Sequence, residues 1–436
     1  MSLRLPSLVL FLSLTTSLAA QSELKLTLAE AVGMSLRSGT NAQLARSAEE
    51  RARIGQMEAL QNLFPQADAR IVRYNQSINL QTFGFSLPGL PSVVGPFNVT
   101  DANISAAVQL FNLAALRRYQ SLRAGVAASR WETLQAENDV ASAVARLYLL
   151  VQRAGAQIAS RQADVTLFTR LLEIANDEFT AGTGTRLDVA QANVQLSRAR
   201  QAVLVAQNDR QNAVFALLNA IGADQSVELV IVDPIPDHAP PPTSIVALTT
   251  AREQRPELKA LEAREREATL AVRAARSRRI PSLSADFEGD FSGETTEELR
   301  WTRRIAGTLS VPLFRADINV LIARAQLQLH DIQLQRVQRE RDVEQDVRRS
   351  ILNVESAEAR VQVAEETAKV AEEALTIARD RREAGYGSPI EVDRAQDIYR
   401  QTHEDLIAAR ADAAVAHFDL MHATGEIHSL VGGETH

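Results

Sequence analysis

Histidine is the residue type in this chain best suited to metal binding or acid–base chemistry, and seven histidines are scattered along its 436 residues. His417 and His422 are the closest pair, five positions apart. Two ligands that share a zinc ion on one helix stand four positions apart, so this spacing does not favour a metal site. The chain has no cysteine and no glycine motif typical of phosphate cradles or nucleophile elbows. We therefore predict no enzyme activity, no metal and no cofactor.

Two glycine-containing segments carry the remaining candidate residues. FTAGTGTRLDVAQA occupies 179–192 and REAGYGSPIEVDRA occupies 382–395, which begins 203 positions later. Each segment interrupts a long helical pattern, and glycine provides the left-handed backbone conformation that commonly ends a helix. Each is therefore predicted to form the tip of a helix hairpin.

The polar residues after these glycines are suited to start the next helix. Ser388, proline and then Glu391 match a capping box with proline at the first helical position. Thr185 and Asp188 form a looser version of the same pattern. All four are predicted helix caps.

The N-terminus predicts export from the cytoplasm. Arg4 precedes the apolar stretch 8–14, and small residues end at Ala20, which is typical of a signal peptide over residues 1–20. The apolar stretch is shorter than the roughly 20 residues that span a bilayer. The net charge of −7 argues against a nucleic-acid partner, because such partners require a basic surface.

The rest of the chain is an internal duplication. Leu110-Phe111 recurs as Leu313-Phe314, and the tip glycines follow the same offset of 203. Upstream, Phe64-Pro65-Gln66 matches Ile280-Pro281-Ser282 at an offset of 216. Such self-similarity indicates a repeated structural unit. The predicted divisions after the signal peptide are 21–222 for the first repeat, 223–245 for a proline-rich linker, 246–425 for the second repeat and 426–436 for a tail.

Each repeat has the same predicted order of elements: an opening helix, a β-hairpin, a long helix and a return helix. The opening helices are predicted over 28–63 and 245–279, and each ends before a proline, which disfavours helix at the residue preceding it. Alternation with period two then predicts two strands per repeat. In the first repeat the long helix covers 112–180 and the return helix covers 186–222. The fold class is mainly α with a small β part.

The long helices show a 4-3 spacing of apolar and small residues, which is typical of coiled-coil packing. Arg161 interrupts this pattern. The predicted contact positions are Val140, Val144, Leu147, Val151, Ala154, Ile158, Val165, Phe168 and Leu172, and in the second repeat Val343, Val347, Ser350, Val354, Ala357, Val361, Ala364, Ala368, Ala371 and Leu375.

Helix lengths predict how the elements stack. At 1.5 Å per residue the long helix measures about 104 Å, and the return helix about 55 Å. An opening helix of about 54 Å makes up the difference. Opening and return helices are therefore predicted to stack end to end along the long helix.

Two hairpins give four strands, which are too few to close a barrel alone. An open sheet in a membrane would leave backbone groups unpaired at its edges, so several chains must share one barrel. Three copies would supply 12 strands and 12 helical positions. The alternative is a periplasmic coiled-coil spacer protein without a pore, in which the hairpins are water-exposed ribbons.

The duplicated unit, the Phe-Pro after the first opening helix, the Leu-Phe before each long helix and the AGTGTRLDVAQA tip together resemble the TolC-like outer-membrane efflux proteins. The resemblance covers 21 to about 425. It implies a homotrimeric duct, with a 12-strand β-barrel in outer-membrane lipid continuous with a long periplasmic α-helical barrel. It also implies a periplasmic adaptor protein and an inner-membrane pump as partners, and drugs, metals or polypeptides as exported substrates.

The resemblance also assigns roles at the tips. Asp188 and Glu391 match acidic tip positions, so their carboxylates either cap helices or narrow a periplasmic gate, alongside Thr185 and Ser388. Arg394 stands where a further acid would be expected. The positions that match the adaptor-docking motif are Ala181, Gly182 and Thr183, and Ala384, Gly385 and Tyr386.

Overall fold

The structure is a computed structural model that describes residues 23–84, 91–234, 240–293, 299–384 and 386–427. The predicted signal peptide, Gly385 and most of the predicted tail lie outside the described residues. The helices are α1 (Leu28–Ser38), α2 (Thr40–Gln61), α3 (Leu113–Thr180), α4 (Arg186–Ile221), α5 (Ser244–Gln254), α6 (Pro256–Ser277), α7 (Ala316–Glu383) and α8 (Pro389–Thr424). The strands are β1 (Glu23–Leu26), β2 (Gln66–Asn79), β3 (Val93–Phe111), β4 (Glu228–Ile231), β5 (Ser282–Gly293) and β6 (Arg300–Ser310).

The predicted duplication is confirmed at single-residue precision. Helices α5 and α6 repeat α1 and α2 at the offset of 216, and α7 and α8 repeat α3 and α4 at the offset of 203. Both long helices have 68 residues, and both return helices have 36. Both return helices end at a left-handed glycine, Gly222 or Gly425, which has no Cβ to oppose that conformation.

The prediction of one continuous opening helix is wrong in both repeats. Gly39 separates α1 from α2 in an extended conformation, and a Cβ there would lie 3.2 Å from the Ala220 carbonyl oxygen. Arg255 separates α5 from α6 in a similar conformation, because Pro256 disfavours helix at the residue before it. Different residues therefore produce the same break.

These breaks lie where the stacked half-helices meet. Gly222, which caps α4, is so close to Ser38 that an added Cβ would lie 3.0 Å from the Ser38 carbonyl oxygen. Gly425, which caps α8, is equally close to Arg255, at 3.1 Å from its backbone nitrogen. The end-to-end stacking along α3 and α7 is therefore confirmed, and glycine permits the close approach at each junction.

Apolar side chains from the stacked helices fill a core at this level. Val144 and Val151 of α3, both at predicted contact positions, pack with Leu217 and Ile221 of α4. A matching cluster in the second repeat contains Val343, Val347 and Val354 from the predicted list. Burying each such side chain stabilises the fold by about 1.5–3 kcal/mol, so the coiled-coil pattern contributes substantially to stability.

A small parallel sheet was not predicted. Strand β4 lies inside the segment interpreted as a proline-rich linker and pairs with β1 in register, Glu23 opposite Glu228. Asp233 follows it and accepts a hydrogen bond from the Leu28 backbone N–H at 2.9 Å, at the start of α1. The linker therefore ties the N-terminal strand to the helices.

We expect Tyr148→Phe to lower the free energy of unfolding by about 1 kcal/mol. The Tyr148 hydroxyl is buried and donates a hydrogen bond to the Leu26 carbonyl oxygen at 3.1 Å, which fixes β1 against α3. Burial raises the pKa of Tyr148 to about 12, with the charge of Asp233 adding to the shift, so the donor stays protonated at neutral pH. Chemical denaturation of the two proteins would measure the difference. An unchanged midpoint and slope would contradict this role.

The remaining strands form one antiparallel sheet in the order β2-β3-β5-β6. Gln66 pairs with Ala107 in the first hairpin, and Ser282 pairs with Ser310 in the second. These pairs are equivalent, because Ser282 lies 216 positions after Gln66 and Ser310 lies 203 positions after Ala107. The pairing of β3 with β5 joins the two hairpins. Both predicted hairpins are present, and the sheet has β2 and β6 as its outer strands.

Candidate functional site

The first hairpin tip is a tight turn between α3 and α4. The backbone N–H groups of Thr183 and Gly184 both donate to the Glu178 carbonyl oxygen, each at 2.9 Å. Gly182 has a φ of 75°, a conformation that costs other residues energy. At Gly184 a Cβ would lie 2.9 Å from that of Glu178. One glycine is therefore needed for its backbone angle and the other for lack of space.

The second tip, between α7 and α8, repeats this turn. The N–H groups of Tyr386 and Gly387 donate to the Arg381 carbonyl oxygen at 2.9 Å, as their counterparts do in the first tip. Gly387 again lacks room for a Cβ, which would lie 2.8 Å from the backbone nitrogen of Arg382. The two tips thus present similar backbones with different side chains.

The more complete capping box forms at the first tip, whereas the sequence predicted it at the second. Thr185 and Asp188, interpreted as the looser pattern, make both bonds of a capping box. These bonds from the Thr185 side chain and backbone lower the pKa of Asp188, so its carboxylate stays ionised at neutral pH. Ser388 accepts from the Glu391 N–H at 3.3 Å, and this is the one capping bond shown by the described residues there. Pro389 at the first helical position has no N–H to satisfy.

Exposed side chains surround both tips. Tyr386 is 83% exposed, Leu187 64% and Ile390 62%, which is unusual for large apolar residues on a helix end. Arg394 is also exposed, and it takes part in none of the ion pairs found within the described ranges. The tips therefore offer apolar contact surface to water.

An ion pair that sequence reasoning missed joins the two tips. An Arg382 guanidinium nitrogen lies 2.8 and 3.1 Å from the two carboxylate oxygens of Glu178, and both side chains are partly buried. At the offset of 203, the position of Arg382 is occupied by Phe179 in the first repeat. This difference between the two repeats was the sign in the sequence that Arg382 has a contact of its own.

Further ion pairs link α3 to α8 above the tips. Arg146 contacts Asp419 at 2.6 Å, and Arg161 contacts Glu404 at 2.5 Å. Arg161 is the residue that interrupts the predicted apolar pattern, and its ion pair to the second hairpin accounts for the interruption. Between Arg161 and the tip pair, a groove of about 550 Å³ separates the hairpins, lined by Leu187 and Ile390 among others.

The closest histidine pair binds carboxylates on neighbouring helices. His417 lies 3.0 Å from Glu358, and His422 lies 2.8 Å from Asp139. Across the described ranges, no grouping of three side chains with metal-ligand chemistry occurs. None of the helices that the structure describes is long and apolar enough to cross a membrane.

The four-stranded sheet has one mainly apolar and one mainly polar face. Because side chains alternate along a strand, the pairings place Ile104, Phe287 and Ile305 on one face. The same face also contains Ile71, Ala102, Ala106, Val108, Ala285, Phe291, Trp301 and Leu309, together with two charged residues, Arg73 and Arg303. The other face contains Asp68, Arg70, Asp101, Asn103, Asp286, Glu288, Asp290 and Arg304. Apolar residues facing outward and polar residues facing inward are the pattern of membrane-embedded strands.

We expect Gly289→Val to disrupt the apolar face. The Trp301 ring lies directly over Gly289 and packs on Phe291, with 4.5 Å between ring centroids, so a Cβ at Gly289 would overlap it. Displacing a packed aromatic ring costs about 1–3 kcal/mol. Tryptophan fluorescence should therefore change in emission maximum, whereas Gly307→Val, where a Cβ meets open space, serves as the control. Equal spectra for both variants would contradict the packing.

Comparisons with known proteins agree with this architecture. The outer membrane efflux protein family model matches residues 45–223 and 247–426, one match to each repeat. No curated protein sequence matches significantly.

Solved structures with the same fold include three outer membrane proteins. The Campylobacter jejuni outer membrane channel CmeC superposes with a TM-score of 0.79 at 17% identity, over 92% of this chain and 85% of CmeC. The Vibrio cholerae outer membrane protein VceC has a TM-score of 0.76 at 16% identity, over 91% of this chain and 96% of its own. The open state of the Neisseria gonorrhoeae channel MtrE has a TM-score of 0.75 at 19% identity, over 91% of this chain and 88% of MtrE.

The family match covers most of both repeats, and the structural matches extend over the sheet and the long helices. Members of this family are channels of the outer membrane that extend into the periplasm. The chain belongs to the outer membrane efflux protein family.

Proposed function

We propose that three copies of this chain form an outer-membrane duct that receives small molecules or polypeptides from a periplasmic adaptor and an inner-membrane pump. The observation that carries the proposal is the four-stranded sheet, with one mainly apolar face, one mainly polar face and two outer strands that pair on one side only among the described strands. Twelve strands from three chains make a closed barrel with a polar interior. The described helices, in stacked pairs, continue the wall.

The repeat symmetry specifies how neighbouring copies pair. Ala106 of β3 lies opposite Phe287 of β5 inside one chain. Adding the offset of 203 to Ala106 gives Leu309 of β6, and subtracting the offset of 216 from Phe287 gives Ile71 of β2. The same pairing is therefore expected between Leu309 of one copy and Ile71 of the next copy. Both side chains lie on the apolar face, and they are 65% and 79% exposed in the single chain. The same face therefore continues across the boundary between copies.

The tips are the proposed contact with the adaptor. Ala181, Gly182, Thr183, Ala384 and Tyr386 lie at the far ends of the two hairpins, beside exposed apolar side chains such as Leu187 and Ile390. An apolar, convex end is suited to pack against a helical partner. Gly385 completes this proposed set but lies outside the described residues.

The ion pair between Glu178 and Arg382 is the proposed clasp of the closed tip. It joins two hairpins that are otherwise separated by the groove below Arg161. Adaptor binding would favour an arrangement in which the hairpins part and the clasp is broken. Asp188 and Glu391 would act mainly as helix caps, with their carboxylates near the opening.

The native mass of the protein, extracted from outer membranes in mild detergent, tests the proposal. Three chains per particle are expected. A monomer released from cells without detergent would favour the alternative, a periplasmic coiled-coil spacer protein without a pore.

A further inference from the structure

A cavity with an unusual concentration of arginine lies where the sheet meets the helices. Its volume is about 650 Å³, and it is bounded by the first turns of α3 and α7, the last turn of α6 and Ser282 of β5. Arg118, Arg278, Arg315 and Arg324 line it. Among its described lining side chains there is no aspartate or glutamate. Four positive charges therefore face one concave surface.

Three of these arginines have no acidic partner in the part of the chain that the structure describes: Arg118, Arg278 and Arg324 are exposed and form no ion pair there. Arg315 differs, because it pairs with Asp317 at 2.6 Å. Arg264, farther along α6, instead pairs with Glu132 at 2.7 Å. The cavity therefore keeps an uncompensated charge of about three.

The start of a long helix adds to this positive potential. Asn112 caps α3 by accepting from the Ala115 N–H at 3.0 Å. At the equivalent position before α7 stands Arg315, which provides no side-chain cap. Unsatisfied N–H groups and the helix dipole favour an anion at this end, and Asp317 is the acidic residue in the first turn of α7.

The duplication shows that the fold does not require these arginines. At the repeat offsets, the positions equivalent to Arg118, Arg278, Arg315 and Arg324 hold Leu321, Asn62, Asn112 and Ser121. The same helices therefore form with uncharged residues at all four positions. Arg118 comes from the first repeat and the other three from the second, so the four arginines meet at this junction without being part of the repeated pattern.

We propose that this cavity binds a phosphate-bearing anion. Guanidinium groups bind phosphate through paired, charge-assisted hydrogen bonds, and the small side chains of Ala271, Ala274 and Ala325 leave room for it. The phosphate could belong to an anionic lipid headgroup at the membrane boundary or to a soluble anion. The lipid source rests on the proposed membrane position of the sheet, whereas the soluble source does not.

The test exchanges residues between the repeats, so that each substitution introduces a side chain the fold already accepts. The cavity variant is Arg118→Leu, Arg278→Asn and Arg324→Ser. The control variant is Arg273→Met, Arg276→Leu and Arg341→Asn, three exposed arginines outside the cavity lining, exchanged by the same rule. Both lose three positive charges. Native mass and circular dichroism verify that both remain assembled and helical.

Each protein, delipidated in detergent and free of phosphate buffer, is titrated with short-chain phosphatidylglycerol and separately with inorganic phosphate. We expect saturable binding to the parent protein and the control variant, and binding at least about tenfold weaker in the cavity variant. Binding of the lipid alone identifies a headgroup site, and binding of inorganic phosphate identifies a site for soluble anions. Absence of saturable binding, or equal loss in both variants, overturns the proposal. Because assembly is measured in the same samples, this failure is distinct from failure of the proposed duct.

Discussion

Arg382→Glu is expected to raise passive entry of large hydrophilic molecules through the outer membrane. The substitution replaces the attraction between Arg382 and Glu178 with repulsion between two carboxylates. A partly exposed ion pair contributes up to about 1 kcal/mol, and three copies acting together amount to roughly 3 kcal/mol. That shifts the ratio of open to closed tips about a hundredfold. Susceptibility to an antibiotic too large for ordinary porins, together with single-channel conductance, would measure it.

Two variants make this prediction specific. Arg381→Glu changes the same charge one position earlier, on an exposed side chain that forms no ion pair within the described residues, and should leave entry unchanged. Glu178→Arg combined with Arg382→Glu restores an attractive pair and should close the tip again. Equal leakage from the Arg381 and Arg382 variants, or no rescue by the exchange, would show that the pair does not hold the tip.

Leu187→Asp with Tyr386→Asp is expected to abolish adaptor-dependent export while trimers persist. These side chains are among the most exposed apolar residues of the two tips. If docking buries both, each contributes about 2 kcal/mol, so placing carboxylates there weakens adaptor binding roughly a thousandfold. Export of a pump substrate from cells and pull-down of the adaptor would give independent measurements.

A conservative pair provides the matched control for docking. Leu187→Met with Tyr386→Phe keeps the apolar area and the helix ends, and should export normally. The proposal for the tips would fail if the aspartate variant exported normally, or if both pairs of substitutions were equally defective.

Local rules predicted the long elements accurately. The predicted helix start at 112, the glycine at 222 and the capping residues Thr185 and Ser388 place four helix ends, in α3, α4 and α8, within one residue of the structure. These ends depend on backbone geometry within a single turn, which the sequence records directly. The duplication then extends each assignment to the second repeat.

Features that depend on distant parts of the chain were missed. Strand β1 pairs with β4 across about 205 residues, and neither strand is long or strongly alternating. The break at Gly39 was missed because a single glycine is compatible with a helix. In the structure a Cβ at Gly39 would overlap the Ser35 carbonyl oxygen and lie 3.2 Å from that of Ala220. The Glu178–Arg382 pair joins separate hairpins, so spacing within either helix contains no sign of it.

The pairing of β6 with β2 between copies is the central claim, and cysteine cross-linking tests it most directly because the native chain has no cysteine. Residues directly opposite in neighbouring strands are close enough for a disulfide. Ala106→Cys with Phe287→Cys should close within one chain, as the structure pairs these residues.

Leu309→Cys with Ile71→Cys should instead join three chains into a covalent trimer on a denaturing gel. Leu309→Cys with Asn75→Cys, four residues out of register, should not. Efficient closure of the 106–287 pair without any linkage between chains at 309 and 71 would contradict the shared barrel. A covalent trimer from 309 and 71 alone would establish both the copy number and the register.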